Sequence, residues 1–149
     1  METTPSAAEL IAAAVQGLRH ELLPALSGRA AFQARVIANV LEIARREIEQ
    51  GPAADDREHS RLSALLSALG PGQGGAGVPA DAPPSPALAS LRAALCTAIR
   101  TDRIGLDTPG LRDHLWADVL ARLAIEQPTY PGYLRETGPD TAHDEPHPR

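Results

Sequence analysis

Between Gly28 and Gln50 apolar side chains recur at steps of three and four, so that Phe32, Val36, Ile37, Val40, Leu41, Ala44 and Ile48 share one side of a helix. That side is expected to face a core. Beside it Arg35, Asn39, Glu42 and Arg46 form a second stripe, and Gln33 and Glu47 project toward the apolar arc itself. Gly51-Pro52 is the residue pair expected at a helix C-terminus, so the pattern predicts that this central helix ends there.

The rest of the chain follows the same period. Ser6 and Glu9 are spaced as a capping box ahead of a stripe made by Leu10, Ile11, Ala14, Val15, Leu18 and Leu22, with His20 on the solvated side. Pro24 breaks that helix and predicts a buried corner at Leu22 to Leu26. A third helix is expected from about Asp55, with Leu62, Leu65, Leu66 and Leu69 facing inward and Arg57, Glu58 and Arg61 outside the stripe. Ser85-Pro86 restarts helix as cap and first-turn proline, and Leu88, Leu91, Ala94, Leu95, Ala98 and Ile99 share a face. Arg92, Cys96 and Arg103 fall on the opposite flank, Cys96 as a small packing residue. After Asp107-Thr108-Pro109 a fifth helix carries Leu111, Leu115, Trp116, Val119, Leu120 and Leu123 on one face, with Trp116 expected to anchor the core. Pro128 and Pro131 stop it, and Tyr130 and Tyr133 are expected in an extended segment lying back across the bundle.

These elements predict an all-α fold of about five helices in a single compact bundle over 5–135, packed around the first, second and fifth. The Gly- and Pro-rich composition of 70–86 predicts a mobile loop, and the polar, acidic stretch 136–149 a disordered tail.

Composition narrows the possibilities. At 149 residues the chain suits one domain able to bury a core without disulfides or metal. Aromatics are 3% of the chain, so the core must come from Leu, Ile, Val and Ala. The net charge of -5 argues against nucleic acid or an anionic membrane as partner, both of which require clustered positive charge. All 14 basic residues are Arg, which suits a GC-biased coding sequence better than an arginine-rich motif. One Cys excludes an internal disulfide, and neither a signal-peptide pattern nor a membrane-length apolar run is visible, so a cytoplasmic protein is expected.

Candidate chemistry is sparse. No nucleophile elbow, HExxH helix, phosphate loop with its Lys, paired-Cys zinc spacing or haem attachment occurs. Gly72 to Gly77 matches G-x-G-x-x-G but follows a helix and runs into prolines, the wrong context for a dinucleotide site. His143 and His147 flank Pro146 in the tail and lack a helix to aim them at a metal. Glu42, Glu47 and Glu49 each have an Arg within four positions and read as structural ion pairs. No cofactor and no metal is expected. The best constellation is Arg35, Asn39, Glu42 and Arg46. It forms a solvent-exposed ladder, a partly buried network that fixes helix packing, or a site where Arg's planar fork binds an anion or a partner's carboxylate. For Arg35 and Asn39 the internal network is preferred.

The run Leu23-Pro24-Ala25-Leu26-x-Gly28-Arg29-x-Ala31-Phe32-x-x-Arg35-Val36-x-x-Asn39-x-Leu41, with Arg46-Glu47, resembles a bacterial family of small helical domains of unknown function. Leu88 to Arg100, His114-Leu115, Val119 to Ile125 and Pro128-x-Tyr130-x-Gly132-Tyr133 resemble its C-terminal half. Members are commonly encoded beside, or fused to, aminoglycoside-phosphotransferase-like kinases and acyl-CoA dehydrogenases, which implies an accessory role toward such proteins. The family often has His where this chain has Gln33, so no catalytic role is carried over to that position. The expected function is therefore a non-catalytic accessory or interaction domain partnering a kinase-like phosphotransferase or acyl-CoA dehydrogenase. The competing class is a small-ligand-binding protein or enzyme with a pocket around Arg35 and Asn39. Oligomeric state is left open.

Overall fold

A computed structural model describes residues 4–69 and 84–138. The expected mobile loop, apart from its margins, and the tail from 139 with His143 and His147 lie outside the described residues. Ser6 caps the first helix, α1 (Ala7–Gly17), as a reciprocal box: the Glu9 amide donates to Ser6 Oγ at 3.3 Å and the Ser6 amide to Glu9 Oε2 at 2.7 Å. The helix then loosens into one π turn (Leu18–Leu22) and one 3₁₀ turn (Leu23–Ala25) around Pro24. This corner is not buried, since Leu22 and Leu26 are both exposed.

The second helix, α2 (Gly28–Ala68), runs unbroken for 41 residues through Gly51-Pro52 and merges the predicted second and third helices. Pro52 removes one helix donor, leaving the Ile48 carbonyl without its usual partner, and its ring crowds the preceding residue. Gly51 eases that crowding because it has no Cβ for the ring to strike. The pair therefore weakens one turn without ending the helix, and packing of the neighbouring turns carries the backbone across.

Two further helices, α3 (Pro84–Arg100) and α4 (Leu111–Glu126), pack on α2, and a short α5 (Pro131–Thr137) follows α4. Gly110 introduces α4 with φ +84°, a left-handed conformation that side-chain-bearing residues adopt only with strain. The core joins Leu62 and Leu65 of α2 to Leu88, Leu95 and Ala98 of α3, Ile104 of the connection and Leu111 of α4. It belongs to the C-terminal half of α2. Among the described residues the fold is all-α, with five α-helices, no strand, and no helix long and apolar enough to cross a membrane.

In the N-terminal half the expected orientation of α2 is reversed. Ala31, Ala34 and Ala38 are the buried positions, whereas Phe32, Val36, Ile37, Val40 and Ile48 are exposed. Both stripes are apolar, and the small one permits a close helix approach. Trp116 is 52% exposed and does not anchor the core; its indole N–H donates to Glu136 Oε1 at 3.2 Å, tying α4 to α5. That contact lies where a tail was expected, and α5 is helical where an extended segment was expected, because Pro131 sits in a first turn that needs no donor from it. Cys96 is exposed, not packed.

An uninterrupted α2 predicts that Pro52→Ala restores the missing hydrogen bond and stabilises the protein by about 1–3 kcal/mol. With Pro52 retained, Gly51→Ala should destabilise, since its new Cβ meets both the proline ring and Glu47 Oε1, the latter at 3.0 Å. Urea unfolding of the two variants checks this; a break at Gly51 would make Pro52→Ala neutral or destabilising.

Candidate functional site

Two polar clusters lie along α2. The first surrounds Glu42, whose carboxylate meets Arg45 at 3.0 Å, Arg46 at 3.7 Å and Arg19 at 3.8 Å. Arg45 Nη1 also donates to both carboxylate oxygens of Glu49, at 2.8 and 2.9 Å. Arg46 turns the other way, and its Nε–H donates to the Ile125 carbonyl at 2.6 Å. That carbonyl lies in the last turn of α4, where helical acceptors lack internal partners, so Arg46 caps α4 from another helix. Glu47, expected in an ion pair, makes none among the described residues.

The predicted constellation thus divides. Glu42 and Arg46 are largely buried and committed to the fold. Arg35 and Asn39 are exposed, with no hydrogen bond or ion pair to other described residues. They form no internal network: the packed side of α2 here is the Ala31, Ala34 and Ala38 stripe, which leaves them on its flank.

Sequence reasoning missed the second cluster. Glu58, predicted outside the apolar stripe, is 6% exposed and lies in register with Leu62 and Leu65 on the core side of α2. Arg92 of α3 meets it with a two-pronged hydrogen bond, Nε–H to Oε1 at 2.7 Å and Nη2–H to Oε2 at 2.6 Å, and reaches Asp55 at 3.5 Å. These bonds hold the Glu58 carboxyl below its ordinary range although burial pushes it up, and Glu58 in turn raises Arg92. His114 of α4 is 4% exposed. Burial, then the nearby Arg61 charge, lowers its pKa from the ordinary 6.5, against the pull of Glu58 and Asp118. His114 Nδ1 and Arg61 Nε are buried without a hydrogen-bond partner among the described residues. The legible signal was a charged or imidazole residue in step with core leucines: Glu58 with Leu62, and His114 with Leu111.

A groove of roughly 240 Å³ opens beside this cluster between α2, α3 and α4, where Glu58, Arg61, Arg92, Asp118 and Arg122 converge. Arg122 pairs with Asp118 at 3.2 Å, so most of the charge is neutralised internally. No hydroxyl, thiol or imidazole lines it; its titratable groups are the carboxylates of Glu47, Asp55, Glu58, Asp118 and Glu126, set beside three arginines. A second depression lies near Leu106 to Trp116, and Arg35 and Asn39 line neither. Among the described residues no group of three or more His, Cys, Asp or Glu is placed to hold a metal ion.

Fold and clusters together define a small helical domain threaded on one long helix, with two charge clusters joining helices and Arg35 and Asn39 left outward. The chain belongs to the DUF6285 family, a domain of unknown function, whose family model matches residues 24–130. That span contains both clusters apart from Arg19. No curated protein and no solved structure matches the chain.

Arg92→Ala would leave a buried carboxylate uncompensated. Because Arg92 is itself 43% exposed, water screens part of the loss and the cost should be about 2–3 kcal/mol, below the ~3–5 of a fully enclosed pair. Replacing both partners, Glu58→Leu with Arg92→Met, should return stability to near the parent. Denaturant titrations of both variants test the pair.

Acid should weaken the fold in two stages. His114, with its folded pKa below the unfolded value, is fully stabilising only when neutral in both states, so stability falls as pH drops through about 6.5. Glu58, also depressed, adds stability above the ordinary carboxylate range that is lost as pH falls toward its folded value. Thermal melts from about pH 8 to about pH 2.5 should show both losses, and His114→Phe should flatten the upper one.

Proposed function

We propose that this chain is a non-catalytic accessory domain that docks on a partner protein through the Arg35–Asn39 flank of α2. The observation that carries this reading is the contrast within one stripe: Glu42 and Arg46 are consumed by the fold, whereas Arg35 and Asn39 are exposed and unpaired among the described residues. Arg offers a planar fork of donors suited to a carboxylate, and Asn offers a donor and an acceptor suited to a peptide backbone. Both stand on a rigid helix, which holds them in place before binding and reduces the ordering cost of association. The resemblance that links the family to neighbouring genes points to a kinase-like phosphotransferase or an acyl-CoA dehydrogenase as the partner. The exposed position supports docking over a ligand pocket around Arg35 and Asn39, since neither residue lines the groove beside Glu58 or the depression near Trp116.

Arg35→Ala and Asn39→Ala should melt within about 0.5 kcal/mol of the parent, as surface substitutions do. In pull-downs with a phosphotransferase-like kinase and an acyl-CoA dehydrogenase, the two partner classes that the resemblance implies, they should lose capture that the parent retains. Stable variants that still bind, or a parent that captures neither protein, would overturn the proposal.

A further inference from the structure

Helix α4 runs antiparallel to α2: a side chain at Gly110, just before its first turn, would touch Leu65 Cδ1 at 3.7 Å, and Ile125 in its last turn accepts from Arg46. It ends at Glu126, and the side of α2 that it follows continues bare toward the N-terminus. Phe32, Asn39 and Arg46 are spaced by seven, a step that drifts only about 20° round a helix, so Asn39 and Phe32 prolong the line that α4 leaves at Arg46. Along it Phe32 at 64% exposure, Val36 at 44% and Val40 at 58% make one apolar row, bordered by Arg35 and Asn39.

No described element takes up this line. Among the described elements α5 packs on α4 alone and is tied to Trp116 in the first half of α4, so the chain doubles back beyond Gln127. Residues 1–3, 70–83 and 139–149 contain, prolines apart, only Met1 and Val78 as apolar side chains larger than alanine, too few to cover a phenylalanine and two valines. A contiguous apolar row rimmed by polar residues marks an interaction site.

The chemistry of its cover follows from the row itself. Interior backbone groups of α2 are bonded within the helix and offer an extended peptide nothing to pair with, so a segment lying on the row must satisfy its own backbone, as a helix does. The four-residue ridge of Phe32, Val36 and Val40 is the kind that fits between the side chains of a facing helix, and from Phe32 to Ile43 it offers about 17 Å, roughly three turns. Charge selects the flank. Between Gly28 and Leu41 α2 carries Arg29 and Arg35 and no carboxylate, in a chain whose net charge is -5, and neither arginine has an ion-pair partner among the described residues. The next acid, Glu42, is already met by Arg19, Arg45 and Arg46. Unpaired guanidiniums beside an apolar row are complemented by carboxylates on whatever covers it.

We infer that the row takes an amphipathic helix of the partner protein, laid in line with α4, its apolar side on Phe32, Val36 and Val40 and its acidic flank toward Arg35. This rests on the docking proposed above and names the element of the partner that docks.

Two synthetic helices of roughly 16 residues test the inference by fluorescence anisotropy with the full chain; both carry leucines spaced by three and four, one with glutamates along the flank and the other with arginines in their place. The glutamate helix should bind at micromolar concentration and the arginine helix at least about tenfold more weakly. Phe32→Ala should weaken the glutamate helix about tenfold with an unchanged circular-dichroism spectrum, and Arg35→Glu should reverse the preference between the two helices. A glutamate helix that does not bind, equal binding of the pair, or a parent that sediments as a dimer dissolved by Phe32→Ala would overturn the inference. Capture of the phosphotransferase-like or dehydrogenase protein with neither helix bound would leave the docking flank standing and sink the helical partner. Binding of the glutamate helix with neither protein captured would uphold the helix and sink the two partner classes.

Discussion

Continuity of α2 through Gly51-Pro52 decides how every other element is placed. A helix of 41 residues extends about 60 Å, longer than the core it serves, so its two halves meet different neighbours. The C-terminal half lies among α3, α4 and their connection and supplies Leu62 and Leu65 to the core. The N-terminal half is left with the α1 hairpin and the end of α4. A hairpin packs each helix on one side only, and the apolar residues on the other side stay in solvent. Had the chain turned at Pro52, the Phe32 to Ile48 row could have folded back onto the leucine core, and the molecule would have had no such face.

The Glu58–Arg92 pair is a poor source of net stability, because burying the Glu58 carboxylate costs about what its attraction to the half-exposed Arg92 returns. Its effect is on alignment. The core around it is made of Leu, Ala and Ile, side chains that tolerate a shift of one helix along another with modest loss. A misregistered α3 would bury Glu58 without its partner, a penalty that apolar contacts alone do not impose. His114 adds a third constraint from α4, since its buried position favours the neutral ring.

Much of this was legible in the sequence. The Ser6–Glu9 box, the restart near Ser85, the leucines of α3 and the inward Leu62 and Leu65 all follow from local rules that tertiary structure did not oppose. The failures have physical causes. Helical period identifies stripes without saying which of two apolar stripes is inside, and here the alanines won because small side chains let α1 approach closely. Gly-Pro was read as a stop from its local cost, about 3 kcal/mol for proline in a helix interior, a sum that packing on both sides can exceed. Glu58 was assigned outward by its charge, although its spacing from Leu62 already placed it inward; only the distant Arg92 made the spacing the better guide.

The candidate site was half legible for the same reason. Spacing put Arg35, Asn39, Glu42 and Arg46 on one ridge but could not show that α4 would end against that ridge. The Ile125 carbonyl, left without a helical donor by the stop at Gln127, takes Arg46, and three arginines converge on Glu42. These contacts hold α4 to the N-terminal half of α2 and keep the helix fixed just below Arg35 and Asn39. Polar groups exposed beside such an anchor differ from polar groups on a fraying end, because contacts to the π turn after α1 and to α4 hold the turns next to them. The structural half of the stripe therefore sets the position of the half that is left exposed.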